Sequence, residues 1–218
     1  DTAITADGQI VLMHDDAMMR TTDVAEKFPD RVPAPFSTYT LAEIRTLDAG
    51  SWFERDDPFG QVAAGAVTAA ELASYAGEKV PTLREAFELT LELDWRLNLE
   101  LKAQPAPHDT FDVVSAVLTL ADGVGIGPDH LLFSSARHEW LKALRVRRPE
   151  FELQAVLGLF PEDPIDFSDP FFSTFNPRMT RVTVEELRGP LARGLNVIPY
   201  QPNDPEEIAA LLAIGITG

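Results

Sequence analysis

The side chains best suited to move protons or hold charge gather near the start of this 218-residue chain: His14, Asp15, Asp16 and Arg20, with Thr21 and Thr22 behind them. They follow an apolar run, Ile10, Val11, Leu12 and Met13, which itself follows the turn pair Asp7-Gly8. Strand, turn, strand and then a sudden polar cluster is how a sheet protein carries reactive groups to a sheet edge, because buried strands read as apolar runs and their ends as loops. An imidazole titrates near neutrality, so His14 suits proton transfer to a leaving group. By spacing alone a structural histidine is the commoner case. Asp15 and Asp16 serve equally to fix the loop or to orient His14, and Arg20 reads as a loop anchor or an anion contact. A second segment, Asn98-Leu99-Glu100-Leu101-Lys102, alternates polar and apolar residues between Trp95 and the pair Pro105 and Pro107. That period-two pattern predicts a short strand with Asn98, Glu100 and Lys102 on one face. An ion pair between Glu100 and Lys102 is the plain structural alternative. His108, His130 and His138 fall in a proline-bounded loop, before a strand and at a helix start, and read as structural.

The elements that must position these groups alternate. After the hairpin, residues 23–37 carry Pro29, Pro33 and Pro35 and read as a loop over one end of the domain. Thr40-Leu41-Ala42-Glu43 has the form of a capping box opening a short helix that ends near Leu47. Residues 53–79 read as an irregular insertion, with a turn at Asp56-Asp57-Pro58 and an alanine-rich piece from Ala63 to Ala76 able to form a helix. Thr82 then caps a helix to Leu93, followed by a strand over 97–102 and a helix over 109–120. Strands are expected over 130–134, 151–157, 172–175 and 196–200, and helices over 138–147, 184–193 and 205–213, the second capped by Thr183 and the last opening on a proline. Such alternation with short connections predicts parallel strands in about six to seven β/α units, more than half of an open nucleotide-binding sheet holds. The fold class expected is α/β, a (β/α)8 TIM barrel forming one domain over 1–218, with no linker to divide it.

With 45% apolar and 24% charged residues the chain has an ordinary globular composition. Its formal charge of −17, from 35 acidic and 18 basic residues, argues against nucleic acid as a partner, since that binding depends on Lys and Arg neutralising phosphates. The same acidic surface also serves solubility. The absence of cysteine excludes disulfides, zinc-thiolate sites and thiol nucleophiles. It leans slightly toward an exported protein and leaves the compartment otherwise open. No run approaches the roughly 18 apolar residues of a membrane span, and oligomeric state has no signature in the sequence.

In order along the chain stand Asp1, Thr5-Ala6-Asp7-Gly8, His14-Asp15, Arg20-Thr21-Thr22, Leu47-Asp48-Ala49-Gly50-Ser51-Trp52-Phe53 and Glu100-Leu101-Lys102. This series resembles the glycerophosphodiester phosphodiesterase family, whose pattern runs Glu-x-Asp, Thr-x-Asp-Gly, His-Asp, Arg-Thr-Thr, Leu-Asp-x-Gly-Ser-Trp-Phe and Glu-x-Lys. Pro81-Thr82-Leu83, Ser134 and Gly194-Leu195-Asn196-Val197 also fall where that family places them. Each motif alone is unspecific; six in order are specific, and together the resemblance covers essentially the whole chain.

The resemblance implies a phospholipase C-like barrel that hydrolyses glycerophosphodiesters to glycerol phosphate and an alcohol, a small-molecule substrate. His14 would be the catalytic acid, Asp1 and Glu100 ligands of a Mg²⁺ or Ca²⁺ ion, and Lys102 a phosphate contact, with Asp15 and Arg20 supporting them. An acidic protein acting on phosphodiesters needs a local cation at its site, which a metal with Lys and Arg supplies. Two departures touch the substrate pocket. Ser134 is followed by Ser135-Ala136 where an aromatic is usual, and Ile198-Pro199-Tyr200 replaces the usual tryptophan, with Tyr200 as its candidate substitute. The family opens with His-Arg-Gly and Pro-Glu-Asn-Thr motifs and closes on an apolar strand running into Thr-Asp. This chain begins at Asp1 and closes on Gly215-Ile216-Thr217-Gly218, so the expectation is a barrel incomplete at both ends, without strand 1 and part of strand 8. One catalytic histidine and one metal-binding glutamate of the family then have no counterpart. A barrel cut in this way exposes two sheet edges and is expected to aggregate; a cooperative melt as a monomer would refute that. Two rival readings are a catalytically silent barrel used for binding or assembly, and a barrel phosphodiesterase acting on lysophospholipids.

Overall fold

The computed structural model describes residues 1–216; Thr217 and Gly218, part of the closing segment noted above, lie outside the described residues. The chain divides into two compact units, one of Asp1–Leu93 with Ala103–Gly125 and one of Asp94–Lys102 with the chain from Ile126 on.

The first unit opens with strands β1 (Thr2–Ile4) and β2 (Ile10–Leu12), paired antiparallel with Thr2 opposite Leu12. Their turn is local chemistry: Gly8 takes φ +76°, a left-handed conformation that glycine adopts without steric cost. The Thr5 hydroxyl donates to Asp7 Oδ1 at 2.6 Å. Because the two strands are joined by a tight hairpin, they cannot be successive parallel strands, which need a long crossover. The free side of β1 is closed by one side chain: Gln104 Oε1 accepts from Ile4 N at 2.8 Å and its Nε2 donates to Thr2 O at 3.1 Å. The same unit holds helices α1 (Val24–Lys27), α2 (Leu41–Ile44), α3 (Trp52–Asp56), α4 (Ala69–Tyr75), α5 (Leu83–Glu92) and α6 (Val113–Val124). Its core includes Val11, Met18, Phe36, Tyr39, Ile44 and Leu47.

The second unit is a parallel sheet in the order β3 (Leu97–Glu100), β4 (Leu131–Ser135), β5 (Leu153–Leu157), β6 (Thr174–Pro177) and β7 (Asn196–Val197). Helices α7 (His138–Arg147), α8 (Val184–Ala192) and α9 (Pro205–Ala213) follow β4, β6 and β7, while β5 runs to β6 without a helix between them. Register sorts the side chains by face, since partners at one level of a sheet point the same way. Glu100 pairs with Ser134, Ser134 with Gln154 and Gln154 with Thr174, while Asn176 pairs with Val156 and Arg178 bridges to Tyr200. The opposite face carries Leu99, Phe133, Leu153 and Phe175, all buried. Such a sheet buries one face in apolar packing and keeps the other for polar groups.

Local signals produced the helices. The capping box at Thr40/Glu43 forms as expected; Thr82 and Thr183 cap their helices as expected and, beyond that, complete boxes with Glu85 and Glu186, and a further box at Thr68/Glu71 starts α4. α7 and α9 match their expected bounds. Other boundaries moved. Residues 23–37 are not a plain loop but hold α1 and two single-turn helices, Pro29–Arg31 and Phe36–Thr38. The alanine-rich stretch becomes helical only from Ala69, where Thr68 supplies a cap. α6 starts at Val113 because the Asp112 side chain accepts from Ser115 N, later than expected. The strand expected over 97–102 ends at Glu100, that over 172–175 lies at Thr174–Pro177, and that over 196–200 covers two residues. Among the described residues the parallel strands number five, fewer than six to seven units, because the first two strands form the hairpin.

One contact gives a test. A Cβ on Gly50 would lie 1.8 Å from the Tyr75 carbonyl oxygen, and backbone there cannot rotate away as a side chain could. In the full-length protein Gly50→Ala is expected to cost about 1–3 kcal/mol. Gly123→Ala, exposed within α6 with open space around it, is expected to gain about 0.5–1 kcal/mol. Denaturant unfolding of the two variants beside the parent checks both signs.

Candidate active site

In the first unit the chain leaves β2 at Met13, whose N–H donates to Asp1 O at 3.2 Å. This bond sets the following residue beside the chain start: His14 Nε2 lies 4.0 Å from Asp1 Oδ2, with the imidazole 70% and the carboxylate 19% exposed. His14 Nδ1 is 2.6 Å from Asp15 Oδ1. Arg20 grips the same carboxylate with two donors, Nε to Oδ2 at 2.6 Å and Nη2 to Oδ1 at 3.0 Å. The Arg20 hydrogen bond, with help from His14, outweighs burial and holds Asp15 down at about 2. An ionised carboxylate can only accept, so Nδ1 of His14 carries the proton and donates, and Nε2 is the nitrogen turned outward. Asp15 is therefore the residue that orients the ring. Asp16 contributes through its backbone, its carbonyl accepting from Phe36 N at 2.8 Å.

The loop around this triad is held from behind by a second carboxylate. Asp23 Oδ1 accepts from Asp48 N at 2.8 Å. Asp48 in turn accepts from Gly50 N at 2.9 Å, Ser51 N at 3.0 Å, Ser51 Oγ at 2.7 Å and Gly77 N at 3.0 Å. Burial pushes the Asp48 carboxyl up, but these donors together hold it well below the usual carboxylate range. The turn so built opens α3 with Trp52, over whose ring the Arg20 guanidinium sits at 5.9 Å, within the range of a cation–π contact. The Leu-Asp-x-Gly-Ser-Trp-Phe stretch thus reaches His14 through Arg20 and Asp15, a link that only the tertiary structure displays.

In the second unit Glu100 ends β3, and Lys102 follows two residues on in the same alternation. Tyr200 lies level with Arg178, its hydroxyl donating to Leu157 O at a long 3.4 Å. Burial raises the Tyr200 phenol, with the Glu100 carboxylate adding to that rise and the Arg178 charge opposing it. Three residues on this face had no signal in the sequence: Gln154, Asn176 and Arg178. Their polarity shows only once the register puts them level with Glu100 and Tyr200. The remaining histidines sit in packing roles: His138 Nε2 donates to Val156 O at 3.0 Å, His130 Nδ1 lies 2.9 Å from Trp95 O, and the His108 ring stands edge-on to Phe111.

Among the described residues no group of three or more His, Asp or Glu could hold a metal ion, and no helix is long and apolar enough to cross a membrane. Carboxylates such as Asp1 and Glu100 are hard oxygen donors. They suit an ion that shares its shell with water and phosphate rather than one needing a closed cage of protein ligands.

Asp15 supplies a pH test. Its folded pKa lies below the ordinary 3.8, so its stabilising contribution is complete above that value and is lost as pH falls through about 2. NMR titration is expected to find Asp15 protonating at about 2 and, in Arg20→Gln, closer to 3.8. A value unmoved by that substitution would mean the guanidinium is not what holds it.

Comparison with known proteins assigns the chain. The family model described as the glycerophosphoryl diester phosphodiesterase family matches residues 1–218. Glycerophosphodiester phosphodiesterase domain-containing protein 5 of Gallus gallus is 28% identical over 217 residues, covering 99% of this chain and 35% of the relative. The glycerophosphodiester phosphodiesterase of Caldanaerobacter subterraneus subsp. tengcongensis is 24% identical over 219 residues, covering 100% of this chain and 78% of that protein. The chain therefore spans about a third of the animal relative and about three quarters of the bacterial one. Among solved structures, a phosphodiesterase of Oleispira antarctica in complex with the product sn-glycerol-3-phosphate matches with a TM-score of 0.72 at 24% identity, covering 99% of this chain and 76% of that one. This likeness identifies the α/β fold as the TIM-barrel type. The chain belongs to the glycerophosphoryl diester phosphodiesterase family.

Proposed function

We propose that the protein is a metal-dependent phosphodiesterase, reading 1–218 as its single barrel domain, and that it hydrolyses glycerophosphodiesters to glycerol phosphate and an alcohol by general acid–base catalysis. The observation that carries this reading is the oriented imidazole of His14. With Nδ1–H committed to an ionised Asp15 at 2.6 Å, a proton on Nε2 is the one delivered to the departing alkoxide. Arg20 keeps Asp15 ionised and in place, so the ring stays aimed without adjustment during the reaction. Lys102 offsets charge on the phosphate oxygens, and Tyr200 lines the pocket for the alcohol part. Asp1 and Glu100 would hold the divalent ion, Mg²⁺ or Ca²⁺, which when bound neutralises phosphate charge and polarises the P–O bonds.

A lysophospholipid substrate would call for an exposed apolar patch. The phenylalanine-rich stretch instead packs on itself: Phe171 and Phe172 stand 4.8 Å apart, and Phe167 and Phe175 5.6 Å apart, between ring centres. Of that stretch Phe160 is the exposed ring. Phe59 of the 53–79 stretch is exposed as well, so a panel of glycerophosphodiesters and lysophospholipids decides between the two substrates.

In the full-length protein His14→Ala is expected to lower kcat for glycerophosphocholine by about a hundredfold or more, the worth of a catalytic acid. A loss of less than about tenfold would remove His14 from the role. Dialysis against a chelator is expected to abolish turnover and added Mg²⁺ or Ca²⁺ to restore it. A parent protein that turns over no phosphodiester with either ion would instead be the catalytically silent barrel.

A further inference from the structure

The polar face of the parallel sheet contains two buried groups that the fold leaves unmade. Asn176 is 8% exposed. Its Nδ2 donates to Gln154 Oε1 at 2.9 Å, while its Oδ1 is buried with no partner. The orientation of that amide is fixed from a distance. Arg96 Nη2 donates to Glu152 Oε2 at 2.8 Å, and Gln154 Nε2 donates to Glu152 Oε1 at 2.8 Å, so Gln154 must present its oxygen to Asn176. Turning the Asn176 amide over would set two carbonyl oxygens against each other. The unpartnered atom is therefore an acceptor by necessity.

Two residues along the same extended face stands Arg178. Its Nη1 donates to Leu159 O at 3.0 Å, anchoring the guanidinium to the loop after β5, while its Nε–H is buried with no partner. An acceptor and a donor are thus carried on one face by residues whose Cα atoms are about 6.6 Å apart along the extended chain, by the rise of about 3.3 Å per residue. Both face the side of the sheet that carries Glu100, with Tyr200 level with Arg178. They lie at the carboxyl ends of the strands, the end at which barrel enzymes bind ligands.

We propose that Asn176 and Arg178 form a subsite that reads hydroxyl groups on the polyol portion of the ligand. A hydroxyl is the group that both donates and accepts: one on the ligand gives its proton to Asn176 Oδ1, and a neighbouring oxygen accepts from Arg178 Nε. An alkyl chain in the same place would leave both atoms desolvated and unpaired, so the site discriminates against it. This inference rests on the reading of the site as one for glycerophosphodiesters and names the residues that select the glycerol side.

The test is equilibrium binding of sn-glycerol 3-phosphate against propyl phosphate, which keeps the phosphate and lacks the hydroxyls, to the full-length protein and to two variants. The parent is expected to prefer glycerol phosphate by about ten- to hundredfold. Arg178→Lys and Asn176→Leu, each with folding checked by circular dichroism, are expected to bring that ratio to within a few fold of one. Arg178→Lys keeps a cation for Leu159 and so remains informative if Asn176→Leu fails to fold. A ratio near one in the parent, as when water alone satisfies the two atoms, overturns the proposal. So does a preference that survives Arg178→Lys and a folded Asn176→Leu. Hydrolysis of glycerophosphocholine, followed in parallel, reports separately on catalysis: turnover lost with the preference intact would sink the phosphodiesterase reading and leave the subsite standing.

Discussion

An ionised carboxylate accepts hydrogen bonds and donates none, and much of this molecule is arranged around that one-way rule. Asp15 forces the tautomer of His14 and fixes Arg20; Asp48 gathers four donors from three residues and so shapes the turn that presents Trp52. Glu43, Glu71, Glu85 and Glu186 each reach back to the residue that caps their helix. An excess of acidic residues giving a net charge of −17 therefore has an internal use. Many of these carboxylates act as fixed anchors for irregular backbone and for the first turns of helices.

The two units solve different problems with different bonds. The first has short helices and only two strands, and relies on side chains bonded to backbone: Gln104 on β1, Asp7 on the start of α2 and Asp48 on its own turn. The second relies on a parallel ladder whose one face is apolar and packed, leaving the other face to Glu100, Gln154, Asn176, Arg178 and Tyr200. Polar groups at that depth are costly unless bonded. The chain Arg96, Glu152, Gln154, Asn176 shows the cost met one bond at a time, up to the last atom.

Chemistry in the first unit and polarity in the second were unequally visible in the amino-acid order. His14, Asp15 and Arg20 announce themselves because they stand in a row after an apolar strand, and their mutual contacts span five residues or fewer. Glu100 and Lys102 follow from alternation. Trp52 was present as part of a motif, yet its stacking on Arg20 depends on the loop closure that Asp23 and Asp48 make. Gln154 and Asn176 stand in short strands and Arg178 just past one, and no local pattern distinguishes them from loop residues.

The same division governs the fold. The sequence by itself determined the α/β alternation, the hairpin at Asp7-Gly8, the helices His138–Arg147 and Pro205–Ala213, and the capped starts at Thr40, Thr82 and Thr183, because each depends on groups a few residues apart. It did not determine that 23–37 would coil into single turns, where β6 would begin and β7 would end, or that Gln154, Asn176 and Arg178 would share a face with Glu100. Strand limits and faces are set by ladder partners twenty or more residues away, such as Gln154 with Thr174 and Thr174 with Asn196. A shift of one residue in that register would send every side chain of a strand to the other face. Short-range hydrogen bonds were therefore legible in the order of residues, whereas the tertiary structure alone decided which distant polar groups would meet.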